Sequence, residues 1–123
     1  MLIEIQDCIY DEIQLKKSHG FDGLDKIGKE SFVNHIHFEG SDNRGTAQSK
    51  INEWKEEMLK KWPNKSFRIY RDEQESETIL RFHEVRPELP NWCDSGVEIM
   101  EINPDKASER NAEHAPQAQH PSS

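Results

Sequence analysis

One amphipathic segment that ends at a proline constrains the fold most. Its apolar residues fall on one helical face, at Ile51, Trp54, Met58, Leu59 and Trp62. Pro63 then ends the helix, because proline lacks a backbone N–H and clashes with the preceding turn. The sequence therefore predicts a helix from Thr46 to Trp62, capped by Thr46 or Ser49, whose apolar face must be covered by another element.

Segments of alternating or β-branched apolar residues predict the strands that this helix covers. They lie at residues 2–6, 32–38, 67–71, 78–85 and 97–102. Phe32, Ile36 and Phe38 share one face of the second segment, and the helix is expected to pack there. The acidic stretch 72–77 is expected to form the turn of a hairpin.

The first third of the chain is less regular. Residues 11–17 fit either a short helix or a continuation of the first strand. Phe21, Leu24 and Ile27 recur every three residues, which indicates a helical turn interrupted by nearby glycines.

Together these elements predict one α+β domain over residues 1–103. The expected architecture is a single small antiparallel or mixed sheet of about five strands, with one long amphipathic helix packed on one face. Residues 104–123 contain no Ile, Leu, Val, Met, Phe, Trp, Tyr or Cys, so they cannot bury enough apolar surface to offset the entropy of ordering. They are expected to form a disordered C-terminal tail.

The charge balance narrows the classes of partner. The 123-residue chain has 16 Lys and Arg against 24 Asp and Glu, a formal net charge of −8. Nucleic-acid phosphates repel an acidic protein, so no nucleic-acid partner is expected. No apolar run approaches the about 18–20 residues that span a bilayer, and residues 1–7 lack a secretory pattern. A cytoplasmic protein without a membrane partner is expected, with Cys8 and Cys93 reduced.

His35 and His37 are the most suggestive pair for chemistry. Residues of equal parity on a strand point the same way, about 6–7 Å apart, so both imidazoles could bind one metal ion. His83, on another predicted strand, would supply a third ligand. This pattern gives the alternative function, a small metal-dependent or phosphate-handling hydrolase that uses His35, His37 and His83. The simpler interpretation is that the pair lies on the solvent face and bonds to carboxylates such as Glu39, with no cofactor.

A second polar group lies on the predicted hairpin. Arg81 and His83 share one face of their strand, while Glu84 shares the opposite face with Leu80 and Phe82. Acid, base and cation must face one another for phosphate chemistry, so only Arg81 and His83 could act together. Cross-strand ion pairing with the acidic turn is the simpler interpretation.

The favoured interpretation is a non-enzymatic acidic binding protein. Residues 72–103 carry 9 acidic and 2 basic side chains. Acidic side chains grouped in this way steer association with a basic protein. Trp92 lies in a loop after Pro90, where a large aromatic ring either fills the core or faces a partner. The predicted partner-binding residues are Asp72, Glu73, Glu75, Glu77, Glu84, Glu88, Trp92 and Asp94.

In size and charge the chain is similar to bacterial immunity proteins as a class. The predicted function is therefore inhibition or neutralisation of a basic partner protein such as a toxin domain, for example a nuclease, in the manner of an immunity protein or antitoxin. The protein is expected to be a monomer, or a homodimer paired through an exposed strand edge at residues 97–102.

Overall fold

A computed structural model describes residues 1–104, and these residues contain two β-sheets and three helices. The strands are β1 (Leu2–Ile5), β2 (Cys8–Asp11), β3 (His35–Glu39), β4 (Phe67–Glu73), β5 (Glu77–Glu84) and β6 (Glu98–Ile102). The helices are α1 (Glu12–Lys17), α2 (Lys26–Val33) and α3 (Asn43–Lys61). The α+β class is confirmed, whereas the tail predicted at 104–123 lies outside the described residues from 105 onward. No helix within residues 1–104 combines the length and the apolar character needed to cross a bilayer.

The larger sheet has four antiparallel strands in the order β3-β5-β4-β6. At its centre, Tyr70 of β4 lies opposite Arg81 of β5 and Ile99 of β6, and Arg81 lies opposite His35 of β3. β4 and β5 form the predicted hairpin, but both extend into the acidic stretch, so the connection is residues 74–76. β3 and β6 are the two edges of this sheet.

The helix α3 packs across one face of the larger sheet, as predicted. Its residues Ile51, Trp54 and Met58 are buried in one core cluster with apolar residues of the sheet. The ring of Trp54 meets that of Phe82 edge-on, with centroids 4.7 Å apart. Leu59 was also predicted on the buried face, but it is 47% exposed. The core-facing stripe is therefore narrower than the sequence pattern indicates.

The start of α3 differs from the prediction. The helix begins at Asn43, and Asp42 occupies the N-cap position without a side-chain capping bond. Both predicted caps, Thr46 and Ser49, lie inside the helix. The first turn is tied to the sheet by Asn43, whose side-chain oxygen accepts a hydrogen bond from the buried Thr78 hydroxyl at 2.6 Å. The Asn43 amide also donates to the Gly40 backbone oxygen at 2.7 Å, so a tertiary and a local contact together hold the first turn.

The prediction of a single sheet of about five strands is wrong, because β1 and β2 form a separate antiparallel pair. Their two-residue turn is made by Gln6 and Asp7, with φ of 52° and 67°. Two positive φ values are typical of tight hairpin turns, which usually contain Asn-Gly or another glycine pair. Because this turn has no glycine, the sequence pattern does not reveal β2. Residues 11–17 then form the N-cap Asp11 and the short helix α1 rather than a continued strand.

Side chains, rather than a backbone ladder, fasten this small sheet to the rest of the described chain. The Asn34 amide donates to the Ile9 oxygen and accepts from the Asp11 N–H, both at 2.8 Å. The Glu30 carboxylate accepts from the Ile9 N–H at 2.6 Å. Ile9 itself is buried in the main core. The position of the small sheet therefore depends on the packing of Ile9 together with a few buried polar side chains.

A complete helix, α2, lies where an interrupted helical turn was predicted. Asp25 caps it by accepting from the Gly28 N–H at 2.7 Å, so this glycine lies in the first turn and does not break the helix. The helix includes Phe32 and ends at Val33, so the next strand begins at His35. Phe32 is 43% exposed, and its predicted place on the core face of a strand is wrong.

Candidate functional site

The face of the larger sheet opposite α3 carries polar and aromatic side chains. Arg68 and Tyr70 of β4 lie there beside Arg81 and His83 of β5, because alternate residues of a strand point to one face. The loop after β5 folds over this face. Its Cys93 backbone oxygen accepts from the Tyr70 hydroxyl at 3.1 Å and from the Arg68 guanidinium at 3.0 Å. The cluster therefore fixes the position of the loop.

Burial keeps His83 neutral within this cluster. Its Nδ1–H donates to the Glu84 backbone oxygen at 2.9 Å. Its Nε2 lies 2.8 Å from the Tyr70 hydroxyl oxygen and accepts from the Trp92 N–H at 3.3 Å. Burial lowers the pKa of His83 from 6.5 to about 4, although the bond to the Glu84 oxygen opposes the change. Both ring nitrogens are engaged, so this imidazole holds the loop in place.

Trp92 projects from the loop onto the same face. The Arg81 guanidinium carbon lies 4.2 Å from its ring centroid, within cation–π range. The Tyr70 ring meets it edge-on at 5.0 Å. Trp92 nevertheless remains 44% exposed and is outside the core clusters. Of the two predicted alternatives, the ring therefore faces outward, and two neighbours fix its orientation.

The three histidines of the hydrolase alternative are not arranged as metal ligands. His35 and His37 are neighbours on β3 with ring centroids 5.2 Å apart. The Nδ1 of His37 bonds to the Glu77 carboxylate at 2.9 Å, so its partner is Glu77 rather than Glu39. His83 is buried with both nitrogens engaged. Among residues 1–104, no three His, Cys, Asp or Glu side chains are grouped so that they could hold a metal ion.

Carboxylates crowd the β4–β5 turn, the β6 edge and the loop beside it, a surface that we call the acidic rim. Its carboxylates belong to Asp72, Glu73, Glu75, Glu77, Asp94, Glu98 and Glu101. The arginines that pair with them are Arg44, Arg68 and Arg71. Arg68, for example, contacts Asp94 at 3.1 Å and Glu101 at 2.8 Å. Seven carboxylates against three guanidinium groups leave the rim negative after its internal pairing.

An open cleft interrupts the rim where β4 extends beyond the start of β6. Glu98, the first residue of β6, lies opposite Arg71, so Asp72 and Glu73 extend beyond the β4–β6 pairing. The cleft has a volume of about 410 Å³ and is lined by residues 71–73 and 96–98. Hydrogen bonds from the Arg71 guanidinium lower the pKa of Glu98 and keep its carboxylate ionised.

Glu84 does not belong to this surface, so its predicted role in partner binding is wrong. It lies in a buried ion network, defined by Glu30, Glu84 and Arg86. Arg86 bonds to Glu30 at 2.8 Å and to Glu84 at 3.2 Å. Burial alone would lower the pKa of Arg86, but these two carboxylates raise it, so the guanidinium stays charged. The sequence places Glu84 on the same strand face as the apolar residues of β5. That face points inward, so the Glu84 side chain lies in the buried network.

The remaining predicted binding residues lie at the surface. The exposed ones are Glu73, Glu75, Glu88, Trp92 and Asp94, and the half-buried ones are Asp72 and Glu77. Glu88 lies in the loop after β5, outside the rim. Sequence reasoning missed Glu98 and Glu101, although a signal was present: both occur in a predicted strand, three residues apart. Residues three apart on a strand point to opposite faces, so β6 presents one carboxylate on each side.

Cys8 and Cys93 are both free thiols, one buried and one half-buried. Comparisons with protein-family models, with curated proteins and with solved structures gave no match to this chain. The function proposed below is therefore argued from the geometry and charge of the described residues.

Proposed function

We propose that the protein is a non-enzymatic binding protein that neutralises a basic partner protein, in the manner of an immunity protein or antitoxin. The observation that carries this proposal is the negative excess of the acidic rim. Its arginines already have carboxylate partners, so the rim attracts further cations from outside. A cluster of like charge on one surface raises the association rate with an oppositely charged protein.

Trp92 gives this surface an aromatic anchor. Its ring is held by Arg81 and Tyr70, so little side-chain freedom remains to be lost on binding. Tryptophan is enriched among the residues that dominate binding energy at interfaces. Asp94 of the rim follows Trp92 in the same loop, and Arg68 binds its carboxylate. The anchor therefore adjoins the part of the acidic rim that Asp94 and Glu101 form around Arg68.

The proposed form is a cytoplasmic monomer. The two free thiols suit a reducing compartment. The hydrolase alternative has no specific geometric support in residues 1–104, because His83 is engaged internally and is not grouped with His35 and His37.

The first test is isolation of the protein from its own host under gentle conditions without chelators, followed by native mass spectrometry. The proposal expects a stoichiometric basic protein partner and no bound metal. The partner would then be mixed with the double variant Glu73→Gln/Glu75→Gln in stopped-flow experiments. We expect its association rate to fall about three- to tenfold at low salt, with a weaker dependence on ionic strength.

The matched control is Glu53→Gln/Glu56→Gln, which removes the same charge from the exposed face of α3. It should leave the association rate within about twofold of the original value. An equal effect of both double variants would show that net charge alone, and not the rim, determines the rate. A stoichiometric metal ion with no protein partner would contradict the proposed function.

A further inference from the structure

We propose that the outer edge of β6 binds an extended basic segment of the partner as a fifth strand of the larger sheet. This inference rests on the proposed function, because it specifies how the basic partner is recognised. It also predicts a sequence pattern in that partner.

The outer edge of β6 is open within the described chain. On its inner side, β6 pairs with β4 from Ile102, opposite Phe67, to Glu98, opposite Arg71. No other backbone hydrogen bond to residues 98–102 occurs within residues 1–104. The strand has no proline, and its unbroken register contains no bulge, so two common devices that protect an edge are missing. Unpaired N–H and C=O groups on such an edge provide a template for one more strand.

The side chains of β6 select the chemistry of that strand. Glu98 and Glu101 lie on opposite faces of the sheet, and half-buried Ile99 and Met100 lie between them. A strand added beside β6 places residues three apart directly opposite the two glutamates. The matching segment therefore reads basic, apolar, apolar, basic in an extended conformation.

Both glutamates can accept such a partner. Their side chains are 50% and 44% exposed, and each is held in place by an arginine of β4. Arg71 holds Glu98 at 2.9 Å and Arg68 holds Glu101 at 2.8 Å. A carboxylate has two oxygens and about four acceptor positions, so it can bind a second cation without releasing the first. Opposite charges facing each other across strands stabilise the pairing by about 0.2–1 kcal/mol per pair.

A second copy of this chain suits the edge poorly. Antiparallel self-pairing about a two-fold axis centred on Ile99 places the Glu98 side chains of both copies at diagonal positions on one face. Centring the axis on Met100 does the same for Glu101. Like charges directly opposite each other destabilise a sheet, and side chains as long as glutamate also come within reach of each other at diagonal positions. The charge pattern therefore favours a basic strand over the homodimer pairing predicted for this edge.

The test uses the full chain and a blocked synthetic peptide, acetyl-Thr-Thr-Arg-Val-Val-Lys-Thr-Thr-amide, as the probe. One control peptide has the same composition with arginine and lysine adjacent. The other keeps the sequence but carries N-methyl groups on all four amides of its Arg-Val-Val-Lys core, which blocks both edges of that core against strand pairing and leaves the charge. NMR titration and amide hydrogen exchange report on the β6 amides that point away from β4. They should exchange rapidly in the free protein and become protected when the probe is added.

We expect the probe to bind at least about three- to tenfold more tightly than either control peptide. The variant Glu98→Gln/Glu101→Gln should lose the preference for the probe over the peptide with adjacent arginine and lysine, whereas Glu53→Gln/Glu56→Gln should keep it. Equal binding of the probe and the N-methylated peptide would overturn the proposal, since it would show charge attraction without strand pairing. Protection of the outward β6 amides before any peptide is added would also overturn it, because the edge would already be occupied.

The two proposals fail in different ways. If the acidic-rim variant slows association with the natural partner but the probe leaves the β6 amides unchanged, the proposed function stands and the strand addition is wrong. If no basic protein is retained at all, the proposed function fails, whatever the peptide does.

Discussion

Replacing Arg86 with methionine should be among the most damaging single changes in this domain. Arg86 is 1% exposed and forms ion pairs with Glu30 and Glu84, each of which is fully buried. Methionine fills a similar volume but removes the positive charge, so buried Glu30 loses the guanidinium that neutralises it, while Glu84 retains its contact with Lys65 at 3.4 Å. Removing one partner of a buried ion pair typically costs about 3–5 kcal/mol. Small domains have only about 5–15 kcal/mol of stability in total, so the variant should fold only marginally.

Urea unfolding followed by circular dichroism measures this loss. With a typical slope of about 1–3 kcal/mol per molar urea, the midpoint of Arg86→Met should fall by about 2 M. The exposed pair Lys50–Glu53 is the control, and Lys50→Met should change the free energy of unfolding by less than about 0.5 kcal/mol. The double variant Arg86→Met/Glu30→Gln should be less destabilised than the sum of the two single variants. A loss below about 1 kcal/mol in Arg86→Met would refute the reasoning that this network is an interdependent buried unit.

Three further changes test other parts of the structure. His83 has a pKa of about 4 in the fold and 6.5 when unfolded, so the unfolded state binds the extra proton between these values. The free energy of unfolding should therefore fall as the pH falls, by about 3 kcal/mol at pH 4. In urea unfolding at pH 7 and pH 4.5, His83→Gln should remove this part of the pH dependence. In thermal unfolding, Met58→Ala should lower the free energy of unfolding by about 2–5 kcal/mol and Leu59→Ala by less than about 0.5 kcal/mol. Similar losses in the two variants would contradict the assigned core face of α3. Gly96 has φ of 92°, so Gly96→Ala should lower the free energy of unfolding by about 1 kcal/mol through backbone strain, although the new methyl group meets no atom within 4 Å. An unchanged unfolding midpoint would show that the turn adapts.

Patterns that depend on local periodicity predicted most of the larger sheet and its helix. The apolar spacing in α3 located Ile51, Trp54 and Met58 correctly, because one helical face must meet the core. The errors arise where tertiary contacts override local signals. The first turn of α3 is held in part by the bond between Asn43 and Thr78, which lies 35 residues away and is invisible to a local capping rule. The hairpin turn at Gln6 and Asp7 lacks the glycine by which such turns are usually recognised.

For the candidate site, too, local patterns in the sequence were informative and features that depend on tertiary contacts were not. Composition alone identified residues 72–103 as acidic, and most of the carboxylates selected there are at the surface. Composition could not separate Glu84, which is buried against Arg86, from Glu98 and Glu101, which lie on the open edge. That distinction depends on strand order, because it is the position of β6 at the edge that makes its carboxylates accessible. Strand order results from pairings between distant segments, which a single sequence does not show.

The attachment of the small sheet has a consequence for the folding pathway. Its polar contacts to the rest of the domain join residues far apart in sequence: 21 residues separate Ile9 from Glu30, and 79 separate Asp7 from Arg86. Contacts between distant residues close long loops, so they tend to form after local helices and hairpins. We therefore expect the small sheet to dock after the barrier has been crossed. Stabilising this attachment should slow unfolding and lengthen the lifetime of the native state, while the rate of folding stays nearly the same.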